Sequence, residues 1–162
     1  MNIEYLWYVT YGPDMASELF MKKIEGGYCG ADGKIYNGSA DKSPPIKNKP
    51  YLIPYELYFG NKSGVWDGGG VAFIDQTKSG VTLGRAYLIT EEQFLGIREQ
   101  ENDSRKWYGN TVALKRELYD YIHITFTQSP ENRDENPPHG NYLKAMRQGL
   151  IETYPQLELF SI

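Results

Sequence analysis

The sequence predicts an α+β fold in which a mixed sheet curls into a barrel with helices around it. Segments of strand composition outnumber segments of helical periodicity, and the two kinds do not alternate as they would in a doubly wound sheet. The 162 residues include 14 tyrosines and 17 glycines, a mixture typical of sheets with tight turns and an aromatic-lined interior. With 40% hydrophobic residues, the chain is expected to form one globular domain over residues 1–162.

The first strand is predicted over residues 3–11, where both alternating sets of side chains are largely apolar or aromatic. Such a strand is covered on both faces and lies near the centre of its sheet. A Gly-Pro corner then turns the chain into a short helix over residues 14–25, with Asp14 as its N-cap and a glycine pair as its stop.

The middle of the chain is predicted to be a long loop followed by three strands. Residues 26–50 are rich in Gly, Ser, Lys and Pro and lack periodicity, which indicates a surface loop. Strands are predicted over residues 51–60, 69–75 and 81–90, separated by turn-like segments. The glycine triplet at 68–70 precedes a strand rather than a helix, so we interpret it as a bulge or turn and not as a phosphate-binding loop.

A second helix is predicted over residues 91–101, where a Thr-x-x-Gln capping box precedes it. Two further strands follow over residues 110–118 and 119–127. A polar, proline-rich loop then leads to a closing helix over residues 141–154, whose apolar side chains recur at helical spacing.

Charge and cysteine content narrow the range of partners. The net charge is −4 and the basic residues are scattered, so neither nucleic acid nor an anionic membrane surface is an expected partner. Cys29 is the single cysteine, which excludes an internal disulfide and a multi-cysteine metal site, and it is expected to be an incidental loop thiol or a semi-buried one. The N-terminal segment does not resemble a signal peptide, and the protein is expected in the cytoplasm with a small-molecule or protein partner.

Glu101 is the most informative single residue. At about 100° per residue, Phe94, Ile97 and Glu101 fall within roughly 60° of one another, so the helix directs a carboxylate the same way as its apolar side chains. Burial among apolar groups raises the pKa of a carboxyl group, which suits it to proton transfer near neutral pH. The alternative is a helix-end glutamate that reaches solvent or pairs with Arg98 or Arg105, and both interpretations stay open.

Three segments, in order along nearly the whole chain, carry a family resemblance. The segment YGPDM at residues 11–15 is similar to a Tyr-Gly-Ser-Asn-Met/Leu loop, and GRAYLITEEQFLGIREQEN is similar to a small-residue strand followed by a helix with a catalytic glutamate, here Glu101. Tyr108 lies seven positions beyond that glutamate, and PPHGNYLKAMRQGLIETYP retains Tyr142 and Gly149 of a closing segment. Together these segments resemble the gamma-glutamylcyclotransferase-like proteins, which include the butirosin-pathway cyclotransferases.

The resemblance implies a closed or nearly closed mixed β-barrel flanked by helices, and a transferase or lyase that needs no metal or organic cofactor. In such enzymes the α-amine of a γ-glutamyl group attacks its own γ-carbonyl, which forms 5-oxoproline and releases an amine or amino acid. Glu101 would be the general acid/base. The implied substrate-binding residues are Tyr11, Gly12, Pro13, Asp14, Met15, Tyr108 and Tyr142.

Three departures from the family pattern keep two functions open. Pro13 stands where the family has serine and removes a backbone N–H, and Asp14 stands where it has asparagine and adds an anion. Arg98 replaces an aspartate next to the site. The chain is therefore interpreted either as an active cyclotransferase or as a small-molecule-binding or regulatory protein that kept the fold. The retained Glu101, Tyr108 and Tyr142 favour the enzyme.

Overall fold

The computed structural model describes residues 3–101, 106–114 and 119–157. Short 3-10 turns occur at Pro13–Met15 and Pro130–Asn132. In chain order the described strands and α-helices are β1 (Tyr5–Thr10), α1 (Ser17–Glu25), β2 (Gly27–Tyr28), β3 (Ile35–Tyr36), β4 (Lys47–Ser63), β5 (Gly69–Thr90), α2 (Glu91–Glu101), β6 (Asn110–Ala113), β7 (His123–Thr127) and α3 (Gly140–Thr153).

Five strands form a mixed sheet in the order β4-β5-β1-β7-β6, with β1 at its centre. β1 runs antiparallel to β5 and parallel to β7. Its alternate side chains enter two different cores: Trp7 and Val9 pack with α3 and the β4–β5 hairpin, whereas Leu6 and Tyr8 pack under α1 and α2. The pattern of apolar residues on both faces is thus confirmed as that of a central strand.

β4 and β5 form one long hairpin, where the sequence predicts three separate strands. β5 is continuous through the segment at 76–80 that was predicted as a turn, and that prediction is wrong. Tyr55 pairs with Ser79 while the next residue, Glu56, pairs with Asp75, so residues 76–78 bulge out of the ladder without reversing the chain.

The distal half of the β4–β5 hairpin folds back over the sheet toward β7. The Thr127 hydroxyl donates to the carbonyl of Ile74 at 2.7 Å and accepts the N–H of Ile74 at 3.2 Å. A bridge between Gly60 and Glu135 adds a second contact at this end. β4 and β6 remain the edges of the sheet, so the expected barrel is nearly closed rather than closed.

The first α-helix begins later than predicted, and Asp14 is not its N-cap. Pro13 has a fixed φ that suits a tight first turn, and the chain forms a 3-10 turn before α1 starts at Ser17. The Asp14 carboxylate binds Lys23 instead of the helix N–H groups. The N–H of Ser17 donates to Glu152 of α3 at 3.0 Å, so a distant carboxylate caps the helix.

The predicted loop at 26–50 is interrupted by regular structure. β2 and β3 pair as a short antiparallel hairpin, and β4 already begins at Lys47. Cys29 lies in the turn of this hairpin but is fully buried against Ala16 and Leu19, beyond the semi-buried state that was expected. The small hairpin is thus packed onto the start of α1.

The second half of the chain follows the prediction more closely. Thr90 and Gln93 form the expected capping box, with reciprocal backbone-to-side-chain hydrogen bonds of 3.0 and 3.1 Å. β6 and β7 are shorter than predicted, and residues 115–118 of the first of these predicted strands lie outside the described residues. Gly68 has a φ of +79° in the turn before β5, which agrees with the predicted turn at the glycine triplet. In the described part of the chain, no helix is long and apolar enough to cross a membrane.

Candidate active site

A cavity of about 110 Å³ opens at the end of β1, between α1, α2 and α3. Its walls include the backbone and side chains of residues 8–14, the last residues of α2 and two tyrosines from distant segments. The Glu101 carboxylate and the loop at 11–14 face this same cavity. The structure therefore brings together most of the residues that the sequence assigned to the site: Tyr11, Gly12, Pro13, Asp14, Glu101, Tyr108 and Tyr142.

Met15 is placed differently from the rest of its loop. Its side chain is fully buried in the main core, and it is not part of the cavity wall. Gly149 of α3 lies directly against it, since a Cβ on that glycine would overlap the Met15 Cβ. Met15 thus anchors the loop to α3 and does not line the cavity in this structure.

The Glu101 side chain is 16% exposed, so the fold buries most of it, and among the described residues its partner is a lysine and not Arg98. Arg98 is exposed, and Arg105 lies outside the described residues. Glu101 instead binds the ammonium of Lys23, which also binds Asp14. We call Asp14, Lys23 and Glu101 the ion cluster.

The sequence interpretation missed Lys23, although its position contains a signal. Lys23 follows Leu19 by one helical turn and precedes Ile24, so it lies on the apolar face of α1, and it is only 6% exposed. A lysine on the buried face of a short amphipathic helix must have a partner, because an unpaired buried charge is strongly unfavourable.

The loop at 12–15 is held in place from behind by side chains of β5 and α3. Arg85 donates to the Met15 carbonyl at 2.7 Å and to Glu152 at 2.8 Å. The Tyr87 hydroxyl lies 3.2 Å from the carbonyl oxygens of both Asp14 and Met15. These contacts fix the carbonyl side of the turn to the sheet, which leaves its other side to face the cavity.

Tyr108 and Tyr142 meet at one residue of β5. The N–H of Ala72 donates to the Tyr142 hydroxyl at 2.7 Å, and the Tyr108 hydroxyl donates to the Ala72 carbonyl at 2.8 Å. Gly12 makes room for this arrangement, because a Cβ there would lie 3.1 Å from the Tyr142 hydroxyl. Burial raises the pKa of Tyr142 above its ordinary value, so its phenol keeps the proton.

Tyr8 contributes a further polar group that the sequence interpretation assigned only to the core. It is 5% exposed and lines the cavity, and within the described part of the chain its hydroxyl has no hydrogen-bond partner. Burial, followed by the nearby charge of Asp14, raises the pKa of Tyr8 well above its ordinary value. The neutral phenol is therefore available to a ligand in the cavity.

The β2–β3 hairpin supplies one more wall of the cavity through Asp32, Lys34 and Tyr36. The Tyr36 hydroxyl donates to the Asp32 carboxylate, and the Lys34 ammonium lies 5.2 Å from the centre of the Tyr36 ring. The segment predicted as a plain surface loop thus borders the candidate site. Over residues 3–101, 106–114 and 119–157, no group of three or more His, Cys, Asp or Glu is arranged to hold a metal ion.

Comparison with known proteins identifies the fold. A solved gamma-glutamyl cyclotransferase is 18% identical with a TM-score of 0.68, and the match covers 93% of this chain and 81% of that one. An uncharacterised human protein is 19% identical with a TM-score of 0.69, covering 95% of this chain and 83% of that one. The chain has the gamma-glutamylcyclotransferase-like fold that the sequence resemblance implied.

The sequence comparisons give a different kind of match. No protein-family model matches the chain. Histone deacetylase 5 of Arabidopsis thaliana is 31% identical over an alignment 190 positions long, which covers 91% of this chain but 28% of that protein. The chain therefore spans less than a third of the length of this relative.

Proposed function

We propose that the protein is a cyclotransferase that converts a γ-glutamyl amide or amine to 5-oxoproline and releases the amine, with Glu101 as general acid/base. The observation that carries the proposal is that the Glu101 carboxylate and the loop at 11–14 share one cavity. The chain shares its fold with a solved gamma-glutamyl cyclotransferase, and the reaction class is proposed by analogy with that protein. The proposed location is the cytoplasm.

The proposed reaction needs one group that moves protons and little else. The Glu101 carboxylate takes a proton from the substrate α-ammonium, and the resulting amine attacks the γ-carbonyl carbon to form a C–N bond and a tetrahedral oxyanion. The oxyanion collapses, the bond to the leaving nitrogen breaks, and the Glu101 carboxyl group returns its proton to that nitrogen. The ring nitrogen keeps one proton as the lactam N–H and loses its other proton to the Glu101 carboxylate, which passes it to the released amine. Lys23 contacts one Glu101 oxygen, Oε1, and within the described residues the second oxygen is available for these transfers.

Backbone donors in the loop support the binding of substrate oxygens. Met15 and Ala16 donate their N–H groups within the turn, and Ser17 donates to Glu152. In the described residues, the N–H groups of Gly12 and Asp14 have no acceptor, and both residues line the cavity. Two such donors, with the Tyr8 hydroxyl, suit a carbonyl oxygen that becomes an oxyanion.

A second candidate is a small-molecule-binding or regulatory protein without cyclotransferase activity. The ion pair between Lys23 and Glu101 favours it, because a carboxylate already bound to an ammonium is less free to accept another proton. The match to part of a much larger histone deacetylase is in keeping with a module that serves another protein. The site geometry is the same in both candidates, so turnover decides between them.

The test is an assay for 5-oxoproline with a panel of γ-glutamyl amino acids and γ-glutamyl amines. We expect turnover by the wild type and a loss of roughly 100-fold or more in Glu101→Gln, the usual effect of removing a general acid/base. Glu99→Gln is the matched control, since Glu99 is exposed on the same helix, and it should retain wild-type turnover.

Two results would contradict the proposal. Turnover that survives in Glu101→Gln would exclude Glu101 as the acid/base. No turnover with any member of the panel would leave the binding or regulatory function as the better account of the same cavity.

A further inference from the structure

The proposed proton transfers do not require Lys23, although its ammonium contacts the Glu101 carboxylate. Its ammonium is buried on a face of α1 where the neighbouring side chains, Leu19 and Ile24, are apolar. Removing charges from water is costly even when they compensate one another, and apolar side chains in place of a whole buried ion cluster often pack at less cost. Helix packing therefore does not explain a lysine at this position.

The number of hydrogen-bond donors on this ammonium exceeds the number of acceptors around it. A lysine ammonium has three N–H donors, and Asp14 and Glu101 are its two partners. Within the part of the chain that the structure describes, no third acceptor contacts it. Because Lys23 lines the cavity, its third N–H is available to a ligand there.

The same ammonium resolves the difficulty that Asp14 poses for an anionic ligand. An isolated aspartate in the loop would repel a carboxylate that approaches the N–H groups of Gly12 and Asp14. The bond to Lys23, whose ammonium also binds Glu101, offsets part of that negative charge and places an ammonium beside those donors. Lys23 thus offers a carboxylate a charge-assisted hydrogen bond, while the N–H groups of Gly12 and Asp14 serve the oxyanion.

We infer that Lys23 is a substrate-binding residue whose ammonium, oriented by Asp14 and Glu101, binds a carboxylate of the ligand. The identity of that carboxylate rests on the proposed function: it is the α-carboxylate of the γ-glutamyl substrate, which 5-oxoproline retains after cyclisation. Lys23 then selects ligands in which a carboxylate lies one carbon from the reacting nitrogen. Amides that lack this carboxylate bind weakly.

Binding of two lactams tests the inference without any need for turnover. 5-Oxoproline and 2-pyrrolidinone share the same ring, but only the first has a carboxylate. Calorimetry or ligand-observed NMR should give the wild type an affinity for 5-oxoproline at least about tenfold higher, the low end for a hydrogen bond to a charged group. Lys23→Met should abolish most of that difference, while Lys22→Met, a control on the same helix outside the cavity wall, should retain it.

Asp14→Asn provides an independent test with the opposite sign. Asparagine can still accept a hydrogen bond from Lys23 but no longer offsets its charge, so 5-oxoproline should bind several-fold more tightly and 2-pyrrolidinone equally well. This result does not depend on whether Lys23→Met folds, and Lys23→Arg, which keeps the charge, should retain part of the discrimination. Circular dichroism checks that each variant is folded.

Several outcomes would overturn the inference. It fails if the wild type does not bind 5-oxoproline, if it binds both lactams equally, or if Lys23→Met still discriminates between them. If discrimination depends on Lys23 but no substrate turns over, the inference holds and the proposed activity fails. If substrates turn over with an unchanged preference in Lys23→Met, the activity holds and the role of Lys23 is wrong.

Discussion

The packing of α3 on the site loop predicts that Gly149 cannot accept even one methyl group. A Cβ built on Gly149 would lie 2.6 Å from the backbone nitrogen of Ala16 and from the backbone carbon of Met15. These are backbone atoms of the turn that borders the cavity, so they cannot move aside as the tip of a flexible side chain can. In Gly149→Ala, either α3 or the turn must shift.

Two opposing effects set the magnitude of this change. Alanine stabilises a helix relative to glycine by about 1 kcal/mol, and overpacking a well-filled core costs typically 1–3 kcal/mol. Because the overlap is with backbone on two adjacent residues, we expect the upper end of that cost and a net loss of about 2 kcal/mol in the free energy of unfolding. The displaced turn should also lower ligand binding in the cavity.

Urea unfolding of Gly149→Ala, with Gly140→Ala as the matched control, measures the effect. Gly140 opens the same helix, and a Cβ there meets no atom within 4 Å. The control should be as stable as the wild type or more stable by up to about 1 kcal/mol, because it gains helix preference without any overlap. If Gly149→Ala is as stable as the wild type or more stable, the close contact between α3 and the turn is wrong.

Two further substitutions probe the cavity and the sheet. Tyr8→Phe should leave the fold unchanged and lower the apparent affinity for substrate or 5-oxoproline by roughly two- to tenfold, because one neutral hydrogen bond is lost. An unchanged affinity would mean that the Tyr8 hydroxyl does not contact the ligand. The hydrogen bond from Thr77 holds the pKa of Asp75 below its ordinary value, and Arg133 lowers it further. The ionised carboxylate therefore stabilises the fold at pH values above the unfolded pKa of about 3.9. That stabilisation is lost as the pH falls through the folded pKa. Asp75→Asn should therefore have a free energy of unfolding about 2 kcal/mol lower than the wild type at pH 7. Urea unfolding near pH 2–3 should show a smaller difference between the two proteins. A difference that stays constant with pH would contradict the stabilising role of the ionised Asp75 carboxylate.

The parts of the fold that the sequence predicted are those that local patterns determine. Apolar side chains on both faces of β1 indicated a strand that other elements cover on both sides, and the structure places this strand at the centre of the sheet. The capping box of Thr90 and Gln93 fixed the start of α2, and helical geometry then placed Glu101 on its buried side. Each of these inferences needed fewer than a dozen consecutive residues.

The errors arose where distant residues decide the outcome. Gly, Ser, Thr and Lys at 76–80 are typical of a turn, but they equally suit a bulge, and only pairing with β4 distinguishes the two. Asp14 is a good N-cap by type, yet its ion pair with Lys23 competes with the helix N–H groups. Lys23, the partner of Glu101 among the described residues, lies on another helix, so no local pattern contains it.

The central position of β1 also has a consequence for how the protein folds. Its neighbours are distant in sequence, and the Thr125 hydroxyl, for example, donates to the Val9 carbonyl across 116 positions. Domains dominated by such non-local pairings fold slowly, in roughly milliseconds to seconds, because long loops must close before the contacts form. A nascent chain that ends before α3 lacks Tyr142 and the partner of the site turn, and the cavity is therefore completed among the last features of the fold.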